Sequence, residues 1–157
     1  TDVASKDVTS LSVSGDHRLN FANKENKWVN TDDREMPLNQ TLVSSLVNNI
    51  AGITTESVVE QPEDLSEYGL DNPVRTIKAT LENGSGIIIY VGNQNDLTGD
   101  YYIRLEGDDQ VYGISSYVVT AFDKEPEEFI EETEEETTSA EDTEETAAET
   151  ANAQETE

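Results

Sequence analysis

The chain has 157 residues, 35 of them acidic and nine basic, with a formal net charge of −26 and no cysteine. That length permits one domain of ordinary size. The acidity argues against nucleic acid or anionic lipid as a partner, because it repels phosphate, and the absence of cysteine excludes a disulfide framework and thiol chemistry.

Residues 1–7 read as a disordered lead. Val8–Val13 and Arg18–Asn23 read as two strands joined through Ser14-Gly15-Asp16, with Leu11 and Val13 on one face of the first and Leu19 and Phe21 on one face of the second. Lys24-Glu25-Asn26 turns the chain into a short strand carrying Trp28 and Val29, and a polar loop follows to Met36-Pro37. Leu38, Leu42, Val43, Leu46, Val47 and Ile50 form a helical stripe, so a helix is predicted over Leu38–Ile50. Asn39 is its expected N-cap, with Leu38 and Val43 placed as a hydrophobic staple. Gly52 supplies the stop. Trp28, just before this helix, is expected to pack against Leu42 or Leu46. Thr54–Glu60 is expected to be extended, with Val58 and Val59 at its centre.

Gln61-Pro62-Glu63-Asp64-Leu65-Ser66-Glu67-Tyr68-Gly69-Leu70-Asp71-Asn72-Pro73 is the most informative stretch. It reads as a one-and-a-half-turn helix with both ends specified. Pro62 suits the first helical position, and Glu63 and Asp64 place negative charge against the positive end of the dipole. Gly69 stands where a helix ends in a left-handed residue. Leu65 and Leu70 then take the positions whose apolar contact accompanies a Schellman cap. Pro73 blocks continuation and pushes Asn72 toward extended geometry.

Beyond Pro73 the pattern changes to period two. Arg75, Ile77, Ala79 and Leu81 share one strand face, and Asn83-Gly84 is a hairpin turn signal. Gly86–Gly92 is a continuous apolar run and is expected to be the most buried strand. After an Asn93–Gly99 loop, Tyr101, Ile103 and Leu105 alternate with Tyr102, Arg104 and Glu106. Gly107-Asp108-Asp109 turns the chain into Val111–Ile114, and Ser115–Phe122 reads as a short helix. Residues 124–157 hold 15 acidic residues and one basic residue, leaving 20 acidic and eight basic in 1–123, so the net charge of −26 divides into −14 and −12. Beyond Ile130 no large apolar side chain occurs. Such a segment buries too little to offset chain entropy, so 124–157 is predicted to be a disordered acidic tail, read as a solvated spacer with a docking segment for a basic partner or a weak divalent-cation sponge as the alternative. The prediction is one α+β domain over 8–123: a mainly antiparallel sheet of hairpins with one long helix packed on a face.

With those elements placed, the chain resembles a bacterial family of unknown function, the domain-of-unknown-function family 4340. The resemblance rests on Trp28, Tyr68-Gly69-Leu70, Pro73, Val91-Gly92, Tyr101-Tyr102 and Val111-Tyr112 and covers roughly residues 8–122. It implies an extracytoplasmic domain held at the membrane by an amino-terminal anchor, in some members near ABC-type transporters of gliding or export. It implies no activity. Here no apolar run is long enough to span a bilayer and no signal peptide is visible. The chain opens on Thr1 rather than Met, as expected of a mature or truncated form whose anchor lies upstream.

Residues with chemical potential have bland readings beside them. His17 lacks a second His or any Cys, so the usual zinc sets are out of reach and it reads as a surface residue. Asp32-Asp33 and Asp108-Asp109 lack the spacing of a calcium loop and read as solvated turns. Glu63, Asp64 and Glu67 are better explained by the helix dipole than by a carboxylate acid/base pair. No catalytic, cofactor-binding or metal-binding residue is therefore expected. Trp28, Tyr68, Gly69, Leu70 and Pro73 are expected to be structural. For the tyrosines core packing is the favoured reading, and Tyr101, Tyr102 and Tyr112 are the candidate binding surface if it fails. The function expected is a non-enzymatic envelope accessory or interaction domain with a protein partner. The alternative is a small-ligand or glycan-binding module on a tyrosine-bearing sheet face.

Overall fold

The computed structural model describes residues 3–132. Eight strands, β1 (Val8–Ser14), β2 (Leu19–Lys24), β3 (Lys27–Asn30), β4 (Thr55–Val59), β5 (Arg75–Leu81), β6 (Gly86–Gln94), β7 (Tyr101–Leu105) and β8 (Val111–Ile114), form one sheet in the order β3-β2-β1-β5-β6-β7-β8-β4. Every neighbouring pair is antiparallel. The helices are α1 (Gln40–Ala51) and α2 (Ser116–Thr120). This is the α+β class predicted, with local hairpins dominating.

Register explains the layering. Leu11 lies opposite Ala79 and Phe21, Val13 opposite Ile77 and Leu19, and Ile77 opposite Ile89, so one sheet face is apolar across four strands. That face shares a core with Val43, Leu46, Val47 and Ile50 of α1 and with Val119, Phe122 and Trp28. Asn39 caps α1 as expected, its side chain accepting from the Thr41 and Leu42 N–H groups. Leu42 is 41% exposed and lies outside the core that Trp28 and Leu46 share. The run in β6 is not buried throughout either. Ile88 and Tyr90 face away from the core side occupied by Ile89 and Val91, as a period of two requires.

Both ends of the described fold depart from expectation. Ser5–Asp7 forms a 3-10 turn and Val3 packs on the core, so the lead is structured from residue 3. At the other end Pro126–Phe129 forms a 3-10 turn. Phe129 is 3% exposed and meets Phe21 edge-on at 5.3 Å. Leu38 and Ile130 form a bridge, the Asn39 N–H donates to the Phe129 carbonyl at 2.7 Å, and the Glu131 N–H donates to the Pro37 carbonyl at 2.7 Å. The boundary expected at 123/124 is therefore moved past Ile130. One buried aromatic outweighs the acidic composition around it. The rest of the predicted tail lies outside the described residues.

The two sheet edges differ. On β3 the backbone of Trp28 faces outward, and Gln40 closes it: its Oε1 accepts from the Trp28 N–H at 2.7 Å and its Nε2 donates to the Trp28 carbonyl at 3.0 Å. On β4 no backbone group of Thr55–Val59 bonds outward among the described residues, and Val58 is 47% exposed.

Candidate functional site

The Asp64–Pro73 stretch folds as a corner. Its helical part is a 3-10 turn, Leu65–Tyr68, rather than the longer helix expected from Pro62. Asp64 is the reason. Its Oδ1 accepts from the Ser66 N–H at 2.9 Å, so it caps the turn and leaves Pro62 and Glu63 outside. That bond holds the Asp64 carboxyl below the usual carboxylate range. The exit is as expected. Gly69 has φ 69° and ψ 20°, the Leu70 N–H donates to the Leu65 carbonyl at 2.9 Å, and the Gly69 N–H to the Ser66 carbonyl at 3.1 Å. This is the paired bonding of a Schellman cap.

The corner lies on β6. A Cβ on Gly92 would stand 2.1 Å from the Tyr68 carbonyl oxygen and 3.0 Å from Leu70 Cγ. Gly92 is therefore glycine because the corner's backbone occupies the space a side chain would fill. Tyr68 meets Tyr102 of β7 edge-on at 5.0 Å, and Asn95 Nδ2 donates to the Tyr102 hydroxyl at 2.7 Å. Leu70 is buried and Pro73 half-buried. Four of the motif positions (Tyr68, Gly69, Leu70 and Gly92) thus belong to one packed joint.

The three tyrosines named as a binding surface are not brought together. Tyr102 lies on the sheet face away from the core. Tyr101 and Tyr112 lie on the core face, opposite Ile114 and Ile103, and pack on the core. The alternation of Tyr101 with Tyr102 fixes this split. The hydroxyls of Tyr102 and Tyr112 are also engaged. Tyr112 Oη is 2.7 Å from Asp108 Oδ2 and 2.8 Å from Gln110 Oε1. This contact pushes the Tyr112 hydroxyl up and, with the Gln110 N–H, holds the Asp108 carboxyl down. On the open face Tyr90 bonds Glu106, which raises its hydroxyl, and its ring lies under the Arg104 guanidinium at 5.5 Å.

Two arrangements were missed by sequence reasoning. Arg75 is 6% exposed on the core face of β5, and its Nη2 donates to Asp123 Oδ1 at 2.6 Å. His17 stands 3.8 Å from Asp123 and 3.7 Å from Glu125, tying the β1–β2 turn to the carboxyl-terminal segment. The arginine shared a strand face with Ile77 and Ala79. A cation on an apolar face needs a partner, and that was the available signal. The second arrangement is a concavity of about 560 Å³ between α1, the β2–β3 hairpin and the amino-terminal turn, lined by Lys6, Asn23, Asn26, Lys27, Gln40 and Asn48 among others. Among the described residues no group of three or more His, Asp or Glu side chains is placed to hold a metal ion.

The two sides of this joint, Tyr68-Gly69-Leu70 and Val91-Gly92, are among the residues on which the family resemblance rests. The family model for a domain of unknown function, DUF4340, matches residues 28–155. The chain belongs to the DUF4340 family. The match opens at Trp28, so β1 and β2 of this DUF4340 protein lie outside it, and it runs past the end expected near residue 122. No curated protein and no solved structure matches the chain. Among the described residues no helix is long and apolar enough to cross a membrane.

Proposed function

We propose that this DUF4340 protein is a non-enzymatic interaction domain of the bacterial cell envelope, working outside the cytoplasm beside a transport or envelope assembly. Its partner is a protein. The observation that carries the reading is the asymmetry of the sheet edges. Gln40 closes β3, whereas β4 offers its outer backbone groups and the half-exposed Val58. An open, well-formed edge is a template for strand addition, in which main-chain bonds supply affinity and alternate side chains supply specificity. The family motif supports the same reading, because its residues build a joint rather than a reacting centre.

The test is capture from envelope extracts with the full chain and with Val58→Lys, a charge placed on the open edge. Retention of one protein partner by the parent and its loss by the variant, at equal melting temperature, supports strand addition. Equal capture by both removes β4 from the interface. Recovery of saccharide or wall fragments without protein favours the ligand-binding alternative.

A further inference from the structure

We propose that the open β4 edge takes an extended segment of another protein that carries basic residues two positions to either side of an apolar one. The inference rests on the reading of β4 as an edge for strand addition, and it names the chemistry of the occupant. Val58 lies opposite Tyr112 of β8, and Tyr112 packs on the core, so Val58 carries the core face out to the rim of the sheet. There it offers an apolar seat to a side chain of an added strand. Glu56 and Glu60 stand two residues to either side of Val58. Both are exposed, and neither makes a hydrogen bond or ion pair among the described residues. Glu60 follows the strand and Glu56 fills the register shift between Thr55 and Ser57, so the two charges flank the paired segment Ser57–Val59. Across a strand pair, opposite charges stabilise and like charges destabilise. The sequence that answers this edge is therefore basic, apolar and basic at alternate positions.

The wider edge selects the same partner. Residues 35–74, which include β4, hold seven acidic residues and no Lys, Arg or His. Residues 105–123, which include β8, hold four acidic residues and again no cation. A field of one sign over an interface steers partners of the opposite sign and rejects those of its own. That excludes the cheapest occupant of an open edge, a second copy of this chain. Antiparallel pairing of two β4 strands about Val58 would set Glu56 of each copy against Glu60 of the other, between chains of net charge −26. An anionic lipid surface is repelled for the same reason.

Titrations followed on the amide signals of the full-length chain test this with three capped heptapeptides of threonine, each with a central valine. One has lysine two positions to either side of the valine, one has glutamine there, and one has glutamate. The lysine peptide should shift the amides of Thr55–Val59 and bind on the order of fivefold tighter than the glutamine peptide, as two exposed ion pairs allow. The glutamate peptide should bind more weakly than either. In about 0.5 M salt the lysine peptide should fall to the level of the glutamine peptide. In Glu56→Gln/Glu60→Gln it should do the same, while the glutamine peptide binds as before. Equal binding of the lysine and glutamine peptides at β4 overturns the basic partner and leaves strand addition standing. A lysine advantage unchanged in the double variant overturns the pairing with Glu56 and Glu60. Shifts that miss β4 with every peptide overturn this proposal and the strand-addition reading together. A sedimentation mass of two chains without peptide, with β4 signals that move with protein concentration, gives the edge to a second copy and overturns the proposal.

Discussion

The side-chain amide of Gln40 pairs with the main chain of Trp28 as a ninth strand would, accepting from its N–H and donating to its carbonyl. It also donates to the Leu38 carbonyl at 3.1 Å, so one side chain joins the sheet edge to the start of α1. Gln40→Ala leaves two half-buried backbone groups without partners and should destabilise by about 1–3 kcal/mol. Gln40→Glu keeps the acceptor but sets a carboxylate against two carbonyls, and should cost a comparable amount. Chemical denaturation measures both. A variant as stable as the parent would mean that water replaces the amide at no cost.

The joint on β6 separates two glycines that look alike in sequence. Gly69→Ala forces an L-residue to φ 69° and should cost about 1–2 kcal/mol. The Cβ would also meet the Asn93 side chain, which is exposed and free to turn away. Gly69→Asn should cost less, since Asn tolerates the left-handed region. Gly92→Ala should cost the most, about 3 kcal/mol or more, because its obstacle is the Tyr68 backbone carbonyl. Thermal melts rank the three. Gly92→Ala milder than Gly69→Ala would show that the corner is not seated on β6 as described.

Hairpins, the α1 cap and the left-handed Gly69 were all legible because each is set by residues within a few positions of one another. Strand order was not. β4 crosses to the far edge beside β8, and β1 sits between β2 and β5, and neither pairing has a local signal. Asp123 lies 48 positions from Arg75, so the pair could be demanded but not located. Phe129 was overlooked because its neighbours are glutamates, and composition averages away a single anchor. The split between Tyr101, on the core, and Tyr102, on the other face, was legible, since consecutive strand residues cannot share a face.

Phe129 yields the clearest quantitative consequence. Phe129→Ala should destabilise by about 3–5 kcal/mol, the range for emptying a buried aromatic site. Truncation after Phe122 removes the same ring, the Leu38–Ile130 bridge and Asp123, and should lower the melting temperature strongly, whereas truncation after Glu132 should spare the fold. Equal melting temperatures for the two truncations would mean that Phe129 contributes nothing.

The Tyr112–Asp108 contact predicts a pH window. The Asp108 carboxyl is held low, so its contribution is present above the ordinary carboxylate pKa of about 4 and fades as pH falls through the lowered value. The Tyr112 hydroxyl is held high, so its contribution is present below the ordinary tyrosine pKa of about 10 and fades as pH rises through the raised value. In Tyr112→Phe the Asp108 carboxyl should titrate closer to its ordinary range, as read by carbon-13 NMR. An unchanged titration would assign the shift to the Gln110 N–H alone.

Arg75 and Asp123 make an unequal pair, and the inequality sets the direction of the last prediction. Arg75 is 6% exposed, whereas the Asp123 side chain is 48% exposed. The Arg75 Nε is buried with no partner among the described residues, so the guanidinium depends on its single carboxylate contact. Removing the carboxylate strands a buried cation, while removing the cation leaves a carboxylate that water can reach. Asp123→Ala should therefore cost about 2–3 kcal/mol, below the roughly 3–5 kcal/mol of a fully buried pair because half of Asp123 is solvated. Arg75→Met should cost less, since an apolar chain fills the same site beside Ile77 and Val91. The double variant should be more stable than Asp123→Ala alone, giving a coupling of opposite sign to simple addition. Denaturant melts of the three complete the cycle. Additive losses would show that the two side chains do not act on one another.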